Sequence, residues 1–271
     1  MADGPALEPL SGFGVVGLGR MAQALIRPLL EAGLISSQAV RAVVATRASA
    51  ERLSESLQLA VSTDPDAAWA APVVLLAVKP QQLEAVAATV PSQASGLLIS
   101  VLAGVTVERL ERLFPAWRCV RAVPNTPALV RQGLTGLAWG AGVDADQRRW
   151  VRQLFGQVGE VLELPEVQLD AFLALTSSGP AFVALVAEAL ADGAVAAGLP
   201  RALAGTLAQR TLAGTAALLE QQRLHPAELK DMVSSPAGTT VAGLRALERG
   251  GLRSALIEAV LAAAERSRQL A

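Results

Sequence analysis

The chain has 271 residues, of which 52% are hydrophobic and 17% are charged, and its formal net charge is −1. This near-neutral balance excludes the electrostatic surface of a nucleic-acid-binding protein, and the length suits one large globular domain or two ordinary ones. The longest apolar runs, such as residues 73–78 and 259–264, are too short to cross a bilayer, so we expect no membrane partner.

Residue types that are rare or missing exclude several chemistries. The chain has no tyrosine, which excludes dehydrogenases that use a Tyr–Lys pair as proton donor. Its one histidine, His225, precedes Pro226 at a predicted helix start, so we predict no histidine-based metal site. Its one cysteine, Cys119, excludes an internal disulfide and is interpreted as a small core residue. Since the N-terminus also lacks a signal-peptide pattern, we expect a cytoplasmic protein.

Apolar runs alternate with helical patterns over residues 13–164, which is typical of βαβ units. The predicted strands are 13–16, 40–45, 59–62, 73–78, 97–100, 118–123, 134–139 and 158–164. The predicted helices among them are 21–32, 49–57, a turn from 64, 80–89 and 106–113. The fold class predicted is therefore α/β, with a loose tail at 1–11 and a doubly wound, Rossmann-type dinucleotide-binding domain at 12–165.

Strand signals stop after Pro165, and alanine-rich helical patterns follow. The predicted helices are 166–176, 180–197, 200–220, 226–233, 239–249 and 252–268. They define an all-α domain at 166–271. The helix at 181–197 has small or apolar residues nearly all round, which indicates burial against a second subunit. An alanine-rich core within one chain is the alternative.

The first strand leads into a glycine turn, residues 13–22, with the pattern G-x-G-x-x-A. Gly17 permits a tight turn, Gly19 lets a pyrophosphate approach the backbone, and Ala22 lets the helix pack on the strand. The free N–H groups of the helix then face the phosphates. The pattern predicts dinucleotide binding; a merely structural turn is the alternative.

The second strand ends at Thr46 and Arg47 without the acidic residue that holds the ribose of NAD. A hydroxyl and a guanidinium suit a 2′-phosphate better, so this turn favours NADPH, with NADH as the alternative cofactor. An ordinary surface arginine is the alternative for Arg47.

Three further stretches follow strands and are therefore placed at the carboxyl edge of the sheet, where ligands of such sheets bind. They are Lys79 with Pro80, Ala103 with Gly104, and the turn that contains Asn125 and Thr126. A solvated loop lysine and a plain turn are the respective alternatives for the first and the last.

The densest polar stretch of the helical half is residues 234–240, Ser-Ser-Pro-Ala-Gly-Thr-Thr. Its hydroxyls, its Gly238 and the helix start near Thr239 predict a site for a carboxylate. A helix-capping loop without a ligand is the alternative.

These motifs, taken together and in order, resemble the pyrroline-5-carboxylate reductase family over residues 12–268. The stretches that carry the resemblance are 16–22, 77–80, 100–106, 121–128, 178–182, 189–193, 225–226 and 234–240.

The resemblance implies an oxidoreductase that reduces Δ1-pyrroline-5-carboxylate to L-proline, the last step of proline biosynthesis. It implies an interlocked homodimer, often a pentamer of dimers, which is a homodecamer. It also implies that Ser178, Ser234, Ser235, Gly238 and Thr239 bind the substrate and that Thr240, the catalytic residue, points at the imine nitrogen. The cofactor residues implied are Val16, Gly17, Leu18, Gly19, Arg20, Met21, Thr46, Arg47, Asp64, Ala77, Val78, Lys79, Pro80, Ala103, Gly104 and Asn125.

Some positions depart from the family pattern. Ser177 and Ala237 stand where the family usually has glycine, and Asp64 stands where an asparagine near the cofactor is usual. Arg223 replaces an acidic or neutral residue. A carboxylate at 64 is unfavourable beside phosphates unless it is turned away, so these departures bear on nucleotide choice and fine specificity.

Other functions compatible with the pattern are reduction of another cyclic imine carboxylate and a regulatory nucleotide-binding role without turnover. The β-hydroxyacid dehydrogenases share the two-domain plan but use a lysine in a helix of the second domain, and the helix at 181–197 has none.

Overall fold

The computed structural model describes residues 10–270, so most of the predicted tail at 1–11 lies outside the described residues. Its residues form two compact units, one of 10–177 with 263–270 and one of 178–262. The division falls twelve residues after the predicted boundary at 165/166, because the helix that follows Pro165 packs on the sheet.

The first unit is an eight-stranded sheet in the order β3-β2-β1-β4-β5-β6-β7-β8. The strands are β1 (Phe13–Val16), β2 (Val40–Val43), β3 (Ala60–Ser62), β4 (Val73–Leu76), β5 (Gly96–Ser100), β6 (Trp117–Val123), β7 (Gly133–Trp139) and β8 (Gly159–Glu163). The predicted doubly wound sheet is confirmed. Strand order reverses between β1 and β4, which creates the crevice in which open α/β sheets bind ligands.

Its helices are α1 (Arg20–Glu31), α2 (Arg47–Leu57), α3 (Asp66–Trp69), α4 (Leu83–Ala87), α5 (Val107–Leu113), α6 (Ala145–Gly156) and α7 (Leu169–Thr176), with 3-10 turns at Pro80–Gln82, Thr126–Val130 and Glu166–Gln168. The sequence analysis missed α6, although a signal was present. Asp144 accepts from the Gln147 backbone N–H at 2.9 Å, and the Gln147 side chain accepts from the Asp144 N–H at 3.1 Å. This capping box begins the helix.

One strand pair runs against the rest of the sheet. β6 and β7 are antiparallel, pairing Val120 with Trp139 and Val123 with Gly136, whereas β7 and β8 are parallel. Only a 3-10 turn separates β6 from β7. A parallel pair needs a longer crossover, so this short connection requires a reversal.

The strands bury side chains on both faces, as their apolar runs predict. Val73 and Leu75 enter one apolar cluster, whereas Val74 and Leu76 enter another, because successive residues of a strand point to opposite faces. Cys119 lies in the second cluster with no exposed surface, which confirms it as a core residue. Burial and the negative charge of Glu111 raise the pKa of its thiol to about 12.

The second unit contains α8 (Gly179–Ala196), α9 (Arg201–Gln222), α10 (Pro226–Met232), α11 (Thr239–Arg249) and most of α12 (Leu252–Arg268). Proline begins α8, α9 and α10 at or next to the first turn, as predicted. Ala191, Ala204 and Ala208 form its one buried cluster within the described residues. Large apolar side chains elsewhere are exposed, for example Leu185 at 65% and Leu261 at 57%.

Residues Glu166–Ala196, which include α7 and α8, are long and apolar enough by composition to cross a membrane, with a mean hydropathy of 1.6, and 11% of their most apolar window is buried. The sequence analysis expects no such span because it considers only uninterrupted apolar runs, and it predicts two separate helices here, 166–176 and 180–197. A helix that a second subunit covers has the same length and composition.

Candidate functional site

The glycine turn between β1 and α1 uses its two glycines for different reasons. Gly17 has φ +90°, and a Cβ there would lie 2.8 Å from the carbonyl oxygen of Ala77, so the fold itself requires glycine. Gly19 has an ordinary φ of −76° and caps α1 without a side-chain bond. A Cβ at Gly19 would meet nothing within 4 Å. Glycine at 19 therefore keeps open a space in front of the free N–H groups of α1.

A cleft of about 770 Å³ opens at this turn, along the carboxyl ends of β1, β2 and β4. Predicted cofactor residues that line it are Val16, Gly17, Leu18, Gly19, Arg20, Ala77, Val78 and Lys79. Predicted cofactor residues outside its lining are Met21, Thr46, Arg47, Asp64, Pro80, Ala103, Gly104 and Asn125. Polar lining residues that the sequence analysis missed are Gln23, Ser49, Arg52, Thr63, Gln82 and Thr89. Two of these residues could have been found from the sequence, because Ser49 and Arg52 have the spacing, together with Leu53, of residues on one face of a helix.

The donor set of the cleft fits a dinucleotide. Among the described residues, its charged lining side chains are Arg20, Arg52 and Lys79, and none of its lining residues is acidic. A helix N-terminus together with cations favours a pyrophosphate, and the open space at Gly19 lets it approach. The residues present therefore suit a nicotinamide nucleotide.

Two residues at the predicted 2′-phosphate turn have local partners. The Thr46 hydroxyl caps α2 by accepting from the Ser49 N–H at 3.3 Å. The Arg47 guanidinium Nε lies 3.0 Å from the Glu51 carboxylate, and both side chains are exposed. Arg47 and Glu51 line a separate depression, not the cleft.

Asp64 meets the condition that the sequence analysis sets for a carboxylate here. Its Oδ1 accepts from the Asp66 N–H at 3.1 Å, which caps the short α3. Its neighbours Thr63 and Pro65 line the cleft, and Asp64 does not.

Asn125 is 4% exposed and uses both ends of its amide inside the unit. Its Nδ2 donates to the Thr176 carbonyl at 3.0 Å, and its Oδ1 accepts from the Leu134 N–H at 2.8 Å. The Ser177 hydroxyl donates to the Pro124 carbonyl at 3.2 Å. The turn after β6 therefore holds the end of α7, and the Ser177 departure adds one bond to this contact.

The loop at Ala103 and Gly104 is closed by the end of α12. Gly104 has φ +74°, and a Cβ there would lie 2.8 Å from the Leu270 Cβ and 3.0 Å from the Ser267 carbonyl oxygen. Glycine is required here for packing. Because the end of the chain after α12 packs against Gly104, Gly104 does not line the cleft.

A buried polar network that the sequence analysis missed lies beside this loop. Arg121, 2% exposed, contacts Glu166 at 3.1 Å and Asp170 at 3.0 Å. The Ser267 hydroxyl donates to Asp170 at 2.8 Å, and the Val107 N–H donates to Glu166 at 2.7 Å. An arginine in the apolar β6 was its only sequence signal.

In the second unit, residues 234–240 comprise the end of the loop between α10 and α11 and the first two residues of α11. The Ser234 hydroxyl donates to the Lys230 carbonyl at 2.6 Å. A Cβ on Gly238 would lie 2.4 Å from the Ser235 hydroxyl oxygen, so a larger residue there would displace that hydroxyl. Ala237 has φ +58°, a left-handed conformation that is costly for alanine. Gly238 caps α11 without a side chain, which leaves the first N–H groups of α11 available to a ligand.

Two other predicted positions of the second unit lie at helix starts. Ser178 precedes α8 and makes no side-chain cap bond. His225 caps α10, because its Nδ1 accepts from the Ala227 N–H at 3.2 Å. The helix start predicted at His225 and Pro226 is confirmed, and His225 is exposed there. Among the described residues, no group of three or more His, Cys, Asp or Glu could hold a metal ion.

The fold and the cleft define a dinucleotide-binding domain joined to a helical domain, as in nicotinamide-dependent oxidoreductases. Residues 12–104 match the family described as NADP oxidoreductase coenzyme F420-dependent, and residues 166–270 match pyrroline-5-carboxylate reductase dimerisation.

Curated relatives extend this match to nearly the full length. A pyrroline-5-carboxylate reductase of Synechocystis sp. is 45% identical over 95% of this chain and 97% of its own. One of Arabidopsis thaliana is 38% identical over 95% and 94%, respectively. The chain belongs to the pyrroline-5-carboxylate reductase family.

A solved structure supports the same relationship. Plasmodium falciparum pyrroline carboxylate reductase with NADP bound has a TM-score of 0.87 to this chain, at 28% identity, covering 96% of this chain and 97% of that one.

Proposed function

We propose that this protein reduces Δ1-pyrroline-5-carboxylate to L-proline, the last step of proline biosynthesis, with NADPH as cofactor and NADH as a second donor. The observation that carries the proposal is the 234–240 loop before the uncapped N-terminus of α11, in a chain of this family. The cleft at Gly19 supports the nucleotide part of the proposal.

The substrate carboxylate binds at the N-terminus of α11 in this proposal. Free N–H groups and the helix dipole favour an anion there. Ser235, Gly238 and Thr239 line the carboxylate position, and Ser178 adds a hydroxyl. Ser234 acts by holding the loop, because it already donates its proton to Lys230.

The bound nucleotide supplies the hydride for the imine carbon. Thr240, in the first turn of α11, is proposed to hydrogen-bond the imine nitrogen, which gains a proton as the carbon gains the hydride. An imine is already electrophilic and needs no strong base or metal. The contribution of the chain is alignment of the two reactants, which can lower a barrier by up to about 7–11 kcal/mol.

The cofactor residues predicted from the sequence divide into two groups in this proposal. The cleft-lining group contacts the nucleotide directly, with Gly19 and Arg20 at the pyrophosphate. Met21 lies outside the lining and contributes through its backbone N–H in the first turn of α1. Asn125 and Gly104 act by shaping the loops at the sheet edge, since their polar groups and packing are engaged within the unit.

The proposed assembly is a homodimer formed through the helical domain, with five dimers in a homodecamer, in the cytoplasm. Exposed Leu185, Leu190, Ile257 and Leu261 support a subunit interface, and we propose that it covers α8 in place of a bilayer. The net charge of −1 argues against a nucleic-acid partner. Light scattering of the purified protein is expected to give a dimer or a multiple of it; a stable monomer contradicts the assembly.

The test is NADPH oxidation by the purified protein on addition of Δ1-pyrroline-5-carboxylate, with NADH in parallel. We expect the wild-type protein to turn over. Thr240→Ala should mainly lower kcat, and Ser235→Ala should mainly raise KM. Thr206→Ala is the matched control, because its exposed hydroxyl only donates to Ala202 within α9. No turnover with either nucleotide would overturn the function, and full turnover of Thr240→Ala would overturn the role of Thr240 alone.

A further inference from the structure

Helix α2 presents two different faces at the end of β2. Ser49, Arg52 and Leu53 line the nucleotide cleft. Arg47, Ala50 and Glu51 line a second depression, which meets the cleft at Thr63. The spacings of three and four residues within each set place its members on one side of a helix. The two arginines of this helix therefore lie at different surfaces.

The two arginines also differ in whether they form an ion pair. The Arg47 guanidinium is paired with Glu51 at 3.0 Å, so a phosphate beside Arg47 would also lie beside a carboxylate. Within residues 10–270, Arg52 makes no ion pair and no side-chain hydrogen bond. Its planar guanidinium is free to bind a phosphate through two parallel hydrogen bonds.

Two hydroxyls accompany Arg52 in the cleft. Ser49 accepts a hydrogen bond from the Thr46 hydroxyl at 2.9 Å, which leaves the proton of Ser49 available to a ligand. Thr63, after β3, is exposed and lies at the boundary of the cleft and the Arg47 depression, lining both. The nearby carboxylate of Asp64 is bound to the Asp66 N–H and lies outside the lining.

This cluster lies where the adenosine ribose of a dinucleotide is bound, at the carboxyl end of the second strand, whose continuation Val44 and Ala45 also line the cleft. We propose that Arg52, with Ser49 and Thr63, binds the 2′-phosphate of NADPH, and that Arg47, the arginine at the conventional turn position, does not. The proposal rests on the proposed use of NADPH and names the side chains that select it over NADH.

The test measures binding of adenosine fragments and needs no turnover. Calorimetric titration with 2′,5′-ADP and with 5′-AMP isolates the 2′-phosphate, and the variants are Arg52→Gln and its matched control Arg47→Gln. We expect Arg52→Gln to weaken 2′,5′-ADP at least about tenfold and to leave 5′-AMP within about twofold, since only the first ligand carries the phosphate. Arg47→Gln is expected to leave both within about twofold.

A charge-retaining variant separates geometry from charge. Arg52→Lys keeps the positive charge but loses the two-pronged geometry, so it should lose less affinity for 2′,5′-ADP than Arg52→Gln. Both positions are exposed, so melting temperatures close to that of the wild type are expected and are measured for every variant.

Three results overturn the proposal. The first is that Arg47→Gln alone loses the preference for 2′,5′-ADP over 5′-AMP, and the second is that Arg52→Gln weakens both ligands equally. The third is that Arg52→Gln keeps the wild-type preference for 2′,5′-ADP. Each of these leaves the proposed reductase intact. A wild-type protein that binds both fragments equally overturns the Arg52 assignment and the NADPH preference together, and NADH turnover then decides the reaction separately.

Discussion

The Arg121 guanidinium donates to the Asp170 carboxylate at 3.0 Å, which ties the interior of β6 to the first turn of α7. Arg121 is 2% exposed and Asp170 is 19% exposed, so the pair is largely removed from water. Ser267 at the end of α12 donates to the same carboxylate. Three segments that are distant in the sequence therefore meet at one acidic side chain.

Replacing Arg121 by leucine should destabilise the protein by about 3–5 kcal/mol, because it leaves Glu166 and Asp170 facing each other without their cation. Urea unfolding measures the change. The control is Arg149→Ala, whose pair with Asp146 is exposed and worth less than about 1 kcal/mol. Equal losses in the two variants would contradict a structural role for the Arg121 network.

Alanine substitution should separate the roles of the two glycines in the first turn. Gly17→Ala forces a left-handed alanine against the Ala77 carbonyl, and we expect a loss of stability of at least about 2 kcal/mol. The free energy of unfolding of Gly19→Ala should lie within about 1 kcal/mol of the wild-type value, because Gly19 has an ordinary φ and nothing obstructs a Cβ there.

Although Gly19→Ala should hardly change stability, it should strongly weaken nucleotide binding. Its added methyl group projects into the proposed pyrophosphate position, so NADPH affinity should fall at least about tenfold in the folded Gly19→Ala protein. Fluorescence titration of NADPH measures this. Wild-type affinity in this variant would mean that the pyrophosphate does not approach Gly19.

Ala237→Gly should stabilise the protein slightly, by up to about 1 kcal/mol. A left-handed alanine costs about 1–2 kcal/mol, and the greater freedom of glycine in the unfolded chain offsets part of the gain. Ala246→Gly is the control. Ala246 is an exposed residue in the middle of α11, and its replacement by glycine should lower the free energy of unfolding by about 1 kcal/mol. Thermal unfolding reports both, and a loss at Ala237 as large as at Ala246 would show that no strain is stored there.

Glu163 should make folding stability depend on pH in acid. Burial acts to raise its pKa, but hydrogen bonds from Trp139 and Arg152 and the positive charges of Arg152 and Arg148 outweigh burial, so the pKa of Glu163 lies below its usual value. A lowered folded-state pKa stabilises the native state above the ordinary pKa of about 4.3, and this contribution is lost as the pH falls through the folded value.

The measurement is the free energy of unfolding of wild type and Glu163→Gln between pH 7 and pH 3. The difference should stay constant and below about 1 kcal/mol near neutrality, because the side chain is partly exposed, and should vanish in acid. Glu160→Gln, which removes an exposed carboxylate from the same strand, is the control. A difference that grows in acid would give the wrong sign and contradict the interpretation.

Much of the fold could be predicted because its signals are local. Continuous apolar runs such as Val73–Leu76 indicated strands buried on both faces, and the proline and glycine positions marked the ends of α8 and α9 to within a few residues. Helix α6 was missed although its capping box at Asp144 and Gln147 is visible in the sequence.

The candidate sites were predictable to different degrees. The turn at Gly17 and Gly19 and the 234–240 loop each contain their whole pattern in consecutive residues, so the sequence placed them. The opposite faces of α2 at Arg47 and Arg52 depend on how the helix packs beside β2 and β3, and a sequence motif does not specify that packing.

By itself the sequence determined the order of strands and helices, the glycine turn and the residue types available for chemistry, since these depend on backbone preferences and spacing along the chain. Only the tertiary structure decided that β7 runs antiparallel to β6, that the Asn125 amide binds Thr176 and Leu134, and that Arg121 lies buried between two acids. The physical reason is that hydrogen bonds and ion pairs between distant residues depend on which groups folding brings within about 3 Å of each other, and local propensity carries no record of those distances.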